Sequence, residues 1–522
     1  MKRILLSVLL LVCFVSFVFA EQVLRNPRIV PETRHDVSPA LRDMMRGIAP
    51  ELGGGPQRVL EMEEPPVRHV PPATDTAVQS SPGNPQQAGI VLSFEGITNG
   101  GAVPPDTNGA PGLTQYLQVV NWKYAVFDKA TGQVTFGPYS VESIFYNFGG
   151  ACEFNQVGDP SVRFDRMAGR WVIQQIAGTG GTYVICAAVS TTSDATGAYY
   201  RYSIPYGTKL PDYPKLAVWP DAYYLNADIY GSGFEGTSSC ALDRLSMLQG
   251  GAASAICFET GNNVFQLLPA DLDGAIPPPS GAPNYQLGNV SASNNSLQLY
   301  KFHVDFANPQ NSTYTGPFPI AVASYTVACW SNCVPQQGTS KHLDALGGFL
   351  MYRLAYRNFV PVTVPKTANQ AAHETLVAEH SVQGSPAIAT RWYELRALED
   401  GNFTVYQQGT FAPDTYWRWM GSIGMDKQGD IALGYSLGDA SLYPSIAFTG
   451  RVPDDPPGTM EQEVSIIAGT NSQTGTNRWG DYSSMVADPV DDCTLWYTTE
   501  YLQSGSQSWR TRITALKFPS CH

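Results

Sequence analysis

Val162-Arg-Phe-Asp165-Arg-Met-Ala-Gly169-Arg-Trp171-Val-Ile173 joins two apolar runs through a turn that carries Asp and Gly, the signature of a β-hairpin. The pattern returns at Tyr124 to Gly132 and at Ser422 to Leu433, and more loosely at Leu216 to Leu225, Leu343 to Tyr352 and Ser484 to Trp496. Hairpins that recur roughly every 50 to 80 residues in a strand-rich chain predict a radial array of small sheets, a β-propeller. The predicted class is all-β. Helical periodicity is confined to the neighbourhoods of Leu41 to Arg46 and Leu242 to Leu248.

Seven units can be drawn, opening near Asp106, Asp159, Asp212, Tyr285, His342, Met420 and Asp481. The fourth lacks a clear hairpin, so six and eight blades stay as alternatives. Closing the ring requires one blade to combine both ends of the chain, and 89 to 95 with 511 to 518 are the natural partners.

Lys2 and Arg3 precede an almost unbroken apolar run from Ile4 to Phe19, and Val18-Phe19-Ala20 at its end offers a cleavage site, the pattern of a secretory signal peptide over residues 1–20. Residues 21–88, with Glu63-Glu-Pro-Pro-Val-Arg-His-Val-Pro-Pro72, read as a disordered Pro-rich leader, either a pro-segment or a tether. The propeller domain then occupies 89–522. Limited proteolysis is expected to remove the leader and leave this core folded.

Export places the chain in an oxidising compartment, periplasmic or extracellular. Of nine cysteines, Cys13 lies in the signal segment and eight remain, an even set. Spacing does not fix their connectivity. Chain order suggests Cys152 with Cys186, Cys240 with Cys257, Cys329 with Cys333, and Cys493 with Cys521.

The formal charge is −13, moving to −15 when Lys2 and Arg3 leave, and no basic block stands out. Nucleic acid and anionic membranes are poor partners for such a surface. No later segment is apolar enough to span a bilayer.

First strands of propeller blades line a central channel, so the polar unit openings converge on one face. Candidate catalytic residues are Asp481, Asp159, Asp212 and His342. Candidate substrate-binding residues are Arg478, Arg418, Asp344, Tyr213, Tyr482, Trp417 and Trp419, with Lys215 and Asp106 in the same openings. Close carboxylates raise one another's pKa and make a general acid available near neutrality, while Arg and Tyr hold carboxylates or sugar hydroxyls. Arg478 and Asp481 are the first choices because they are so near in sequence. Trp417 and Trp419, two apart on a strand, are candidates for sugar stacking. The competing role is structural, since Asp before a Pro or Gly turn caps backbone N–H groups. No dedicated calcium loop is present, yet acids and carbonyls at a channel mouth are a ligand set that suits Ca²⁺. No Gly-x-Ser-x-Gly, His-Glu-x-x-His or phosphate-cradling loop occurs.

Gly158 to Trp171, Asp212 to Tyr224, Arg478 to Ser483 and Asp488 to Tyr497 resemble a family of secreted bacterial β-propeller proteins, largely uncharacterised, over most of residues 100 to 521. That resemblance implies fold and export and brings no catalytic residues. More distantly the architecture is similar to sialidase-like propellers, although the Thr-Trp of their hairpin is missing here. The expected function is binding or cleaving an extracellular polymer, most plausibly a polysaccharide, as a glycoside hydrolase or polysaccharide lyase if catalytic. The alternative is a non-catalytic surface or matrix platform for protein partners.

Overall fold

A computed structural model describes residues 22–51, 58–60, 71–99, 101–289, 294–360, 372–397, 401–503 and 509–522. The signal segment and parts of the leader lie outside these. The protein is a β-propeller of antiparallel sheets. Asn108–Pro111, Gln115–Val120, Lys123–Asp128 and Val134–Ser140 form the first sheet, and Gln156–Asp165, Arg170–Thr179, Thr182–Ser190 and Tyr199–Gly207 the second. The third runs from Leu210–Val218 to Ser254–Glu259. Next comes a continuous 11-stranded sheet whose two halves join through the parallel pair Leu268–Leu272 and Leu354–Phe359. Dividing it at that pair gives seven units, a way of counting rather than an observed separation. Trp417–Met425 opens the following sheet. In the last, Trp509–Lys517 pairs with Gly89–Thr98, so both chain ends close the ring.

The Asp and Gly turns explain why the hairpins form. Asp165 Oδ1 accepts the backbone N–H groups of Met167 and Ala168, both at 3.1 Å, and Gly169 supplies the left-handed residue at φ 64°. The same carboxylate takes Arg244 Nε at 2.7 Å and the Tyr223 hydroxyl at 2.9 Å, tying its turn to the next sheet. Asp426 repeats the device by accepting Gln428 N–H at 2.8 Å. Leu343 to Tyr352 is the exception. It forms only isolated bridges, Val334 with Leu343 and Leu350 with His380, because Leu346 and Gly348 take left-handed conformations that break strand pairing. The fourth opening also differs: Tyr285 sits on Asn284–Asn289, whereas the inner strand is Leu268–Leu272.

The leader expectation needs correction where the leader is described. Gln22–Leu24, Arg28–Pro31 and Arg34–Val37 pair with the outermost strands of three sheets. Val78–Gln79 adds to Thr404–Phe411, Leu41 is fully buried, and Asp75 receives the buried Arg391 at 2.8 Å. Edge pairing satisfies backbone groups without hydrophobic alternation, which is why composition alone read as disorder. A chain beginning at Gly89 is therefore expected to melt earlier than one beginning at Glu21 and to self-associate through uncovered edges. Scanning calorimetry and size-exclusion chromatography check this, and an unchanged monomer of equal Tm would show the strap to be dispensable.

All four expected disulfides are present: Cys152–Cys186, Cys240–Cys257, Cys329–Cys333 and Cys493–Cys521. They belong to a chain that matures in an oxidising, extracellular or periplasmic environment. Among the described residues no helix is long and apolar enough to cross a membrane.

Candidate axial site

One backbone irregularity positions the site. Asp106, Asp159, Tyr213, Gln266 and Met420 occupy left-handed conformations with φ between 47° and 54°. The first four stand 53 or 54 residues apart in the sequence. Strand register shifts beside three of them, between Gly158 and Ser161, Asp212 and Lys215, and Trp419 and Ser422. A bulge at this point bends the inner strand and re-aims its side chains.

The carboxylates so aimed link neighbouring sheets. Asp106 Oδ1 accepts Asp481 N–H at 2.7 Å, and its Oδ2 accepts Asn121 Nδ2 at 2.6 Å. Asn121 Oδ1 in turn accepts Asp159 N–H at 2.8 Å, and Asp159 Oδ2 accepts Tyr213 N–H at 3.1 Å. Arg478 donates to Asp481 at 2.8 Å and to Asp344 at 3.5 Å, with its Nε on the Leu60 carbonyl at 3.0 Å. Lys215 Nζ lies 3.1 Å from the Tyr213 ring centroid and 4.0 Å from that of Tyr482. Two cation–π faces thus serve a buried ammonium.

Charge in this space is heavily perturbed. Burial, then the like charges of Asp159, Asp481 and Asp228, holds the Asp212 carboxyl well above the carboxylate range. Burial also raises Asp159, but Lys215 opposes it. Asp106 is raised by burial, Asp481 and Asp159. Burial lowers Lys215 to about 8 despite the surrounding acids, and lifts Asp228 to about 7 and Glu500 to about 8. Burial works against the charge of Arg478, and Asp481, Asp106 and Asp344 outweigh it.

These directions fix a pH dependence. Asp228, Glu500 and Asp426, the last at about 8 through burial and Asp430, keep protons that the unfolded chain has already released near pH 4. The folded state binds more protons in that window, so stability falls as pH rises. Lys215 acts oppositely only between about 8 and 10.5, and His380, lowered by burial to about 3, only below about 6.5. Tm should accordingly be several degrees higher at pH 6.5 than at pH 8, and a flat or rising profile there would contradict the proton count.

The structure brings together Asp159, Asp212, Asp481, Arg478, Asp344, Tyr213 and Tyr482, but none of the contacts that knit them involves the other four candidates. His342 precedes Leu343, whose backbone bridges Val334. Arg418 is fully buried between Asp414 at 2.9 Å and Glu463 at 2.7 Å, a strand-to-loop tie. Trp419 is fully buried against Trp479, with ring centroids 5.9 Å apart, so it offers no open stacking face, whereas Trp417 is partly buried and packs on the edge of the same core. Asp228, Glu500, Asn121 and Gln266 escaped the sequence reading. The signals that would have found them are a lone charge inside an apolar strand, as in Leu495-Trp-Tyr-Thr-Thr-Glu500-Tyr-Leu502, and the regular 53 to 54 residue step that ends on Gln266. Among the described residues no group of three or more His, Cys, Asp or Glu is arranged to hold a metal ion, and the cations facing the axial acids are Lys215 and Arg478.

No family model matches the chain, and no curated protein matches it. Among solved structures it is similar to the WD40 domain of SCAP from fission yeast, at 7% identity and TM-score 0.31 over 78% of this chain and 82% of that one. It is similar also to the catalytic domain of a Coprinopsis cinerea GH62 α-L-arabinofuranosidase, at 13% identity and TM-score 0.30 over 70% and 92%. An endo-arabinase from Bacteroides thetaiotaomicron matches at 11% identity and TM-score 0.28 over 70% and 95%. Likenesses this remote do not bear on the chemistry of the axial residues.

Proposed function

We propose that the protein is exported and acts on an extracellular polysaccharide at the axial cluster, with Asp212 as the proton donor and Asp159 as its ionised partner. One observation carries this reading. Of the axial aspartates, Asp106, Asp228, Asp344 and Asp481 are buried, whereas Asp159 and Asp212 are only half-buried. The accessible two are also those whose environments differ, because Lys215 favours the charged form of Asp159 while like charges disfavour that of Asp212. Two carboxyl groups driven apart in pKa form an acid and base pair suited to glycoside chemistry. Arg478 and Lys215, both buried, set the charge balance behind these two carboxyls.

The non-catalytic platform is favoured by a different observation, namely that Asp106 and Asp159 each accept a backbone N–H from an adjacent sheet. A panel of purified polysaccharides, read for reducing ends and for unsaturated products, separates the readings. Released ends identify hydrolysis and unsaturated products identify elimination. Retention on a polysaccharide column without products leaves binding alone, and the lack of both products and retention favours the platform.

A further inference from the structure

A cavity of about 220 Å³ lies between the outer strands of the third sheet and the 11-stranded sheet, with the leader residues Gln22 and Leu24 in its wall. We propose that it binds a single neutral sugar ring, independently of the axial cluster. Three features carry the inference. One wall is aromatic: Tyr300 and Tyr314 line it and stack with centroids 5.3 Å apart, and Phe258 backs Tyr314 from behind the wall at 5.8 Å. Gly316 shapes that wall, since a Cβ there would stand 2.7 Å from the Tyr300 ring. The C–H face of a sugar packs on such a surface, as apolar area with a polar rim.

The second feature is unmet hydrogen bonding. Gln298, 8% exposed, donates Nε2 to Ser296 Oγ at 3.3 Å while its Oε1 accepts nothing among the described residues. Asn289 donates Nδ2 to the Gly348 carbonyl at 3.0 Å, and its Oδ1 is likewise without a donor. Buried acceptors left unmet are costly, and terminal amide torsions are broad enough to turn these oxygens into the cavity. They call for a ligand rich in donors.

The third feature is charge and size. The acid in the lining, Glu259, is paired with Arg28 at 2.7 Å, which favours a neutral ligand over a charged one. The volume is below the roughly 300 to 1,000 Å³ that takes drug-sized molecules, and suits one ring.

Saturation-transfer NMR with D-glucose and D-xylose as probes, and D-glucuronate as charged control, tests the site on the full mature chain. Transfer to the neutral sugars is expected. Gln298→Met keeps the length of the side chain and removes the acceptor, so it should weaken binding by about 10-fold with Tm preserved. Leu24→Trp, on the edge strand at the mouth, should block the cavity without touching its polar groups and guards against a Gln298 variant that fails to fold. Asp212→Asn should leave sugar binding unchanged. No transfer from either neutral sugar, binding that survives both Gln298→Met and Leu24→Trp, or loss on Asp212→Asn alone would overturn the proposal, the last by placing the ring at the axis.

Discussion

Arg353→Met should destabilise the protein by about 3 to 5 kcal/mol, the cost of breaking a buried ion pair from one side. Arg353 is almost wholly buried and holds three elements together. Its Nε donates to Asp271 at 2.8 Å, its Nη2 meets Asp273, and its Nη1 reaches the Met485 carbonyl at 2.7 Å on the closing sheet. Asp271 is also committed to the third sheet through Val218 N–H at 2.9 Å and is shared with Arg163 at 3.2 Å. Removing the guanidinium strands two buried carboxylates with one remaining cation beside them. Methionine fills the volume, so the loss is electrostatic rather than a cavity. Equilibrium urea unfolding with intact disulfides measures it. The combined change of Arg353→Met, Asp271→Asn and Asp273→Asn should recover part of the loss by removing the stranded charges. A single-variant cost below about 1 kcal/mol, the range of an exposed pair, would refute the assignment.

Asp212→Asn should lower action on, or affinity for, a responsive polysaccharide by at least about 100-fold, the scale of a general acid. Its effect on stability should be small or favourable. The amide keeps the shape of the carboxyl and removes a group that burial and the charges of Asp159, Asp481 and Asp228 already disfavour. Asp481→Asn offers the contrast, because Asp481 is buried and holds Arg478 at 2.8 Å, so its substitution acts through Arg478 and should cost stability. Full activity in Asp212→Asn, or a large fall in its Tm, would favour the platform reading.

Much of the fold was legible because its signals are local. The turn at Asp165 to Gly169 needs only a carboxylate three bonds from its own backbone and a residue free to turn left-handed, so the hairpin is written in a few residues. The same holds for Asp128 and Asp426, and for an even cysteine set paired in chain order. The leader was misread because edge strands draw on backbone donors and acceptors that every sequence carries. The local rule failed at Leu343 to Tyr352 for a related reason: two left-handed residues, invisible in a hydrophobic pattern, interrupt the pairing.

For the site, the sequence by itself determined that Asp159, Asp212, Arg478 and Asp481 occur in the polar openings of otherwise apolar strands. It could not separate them from Arg418, whose charge is met by Asp414 and Glu463, or from Trp419, which is sealed against Trp479. Only the tertiary structure decided that Asp106 and Asp481 are buried while Asp159 and Asp212 stay half-open, and that Lys215 rests on two tyrosine rings. The reason is physical. A strand's pattern records whether a side chain leaves the apolar core, but a carboxyl's proton affinity depends on charges and solvent contributed by other sheets, tens to hundreds of residues away along the chain.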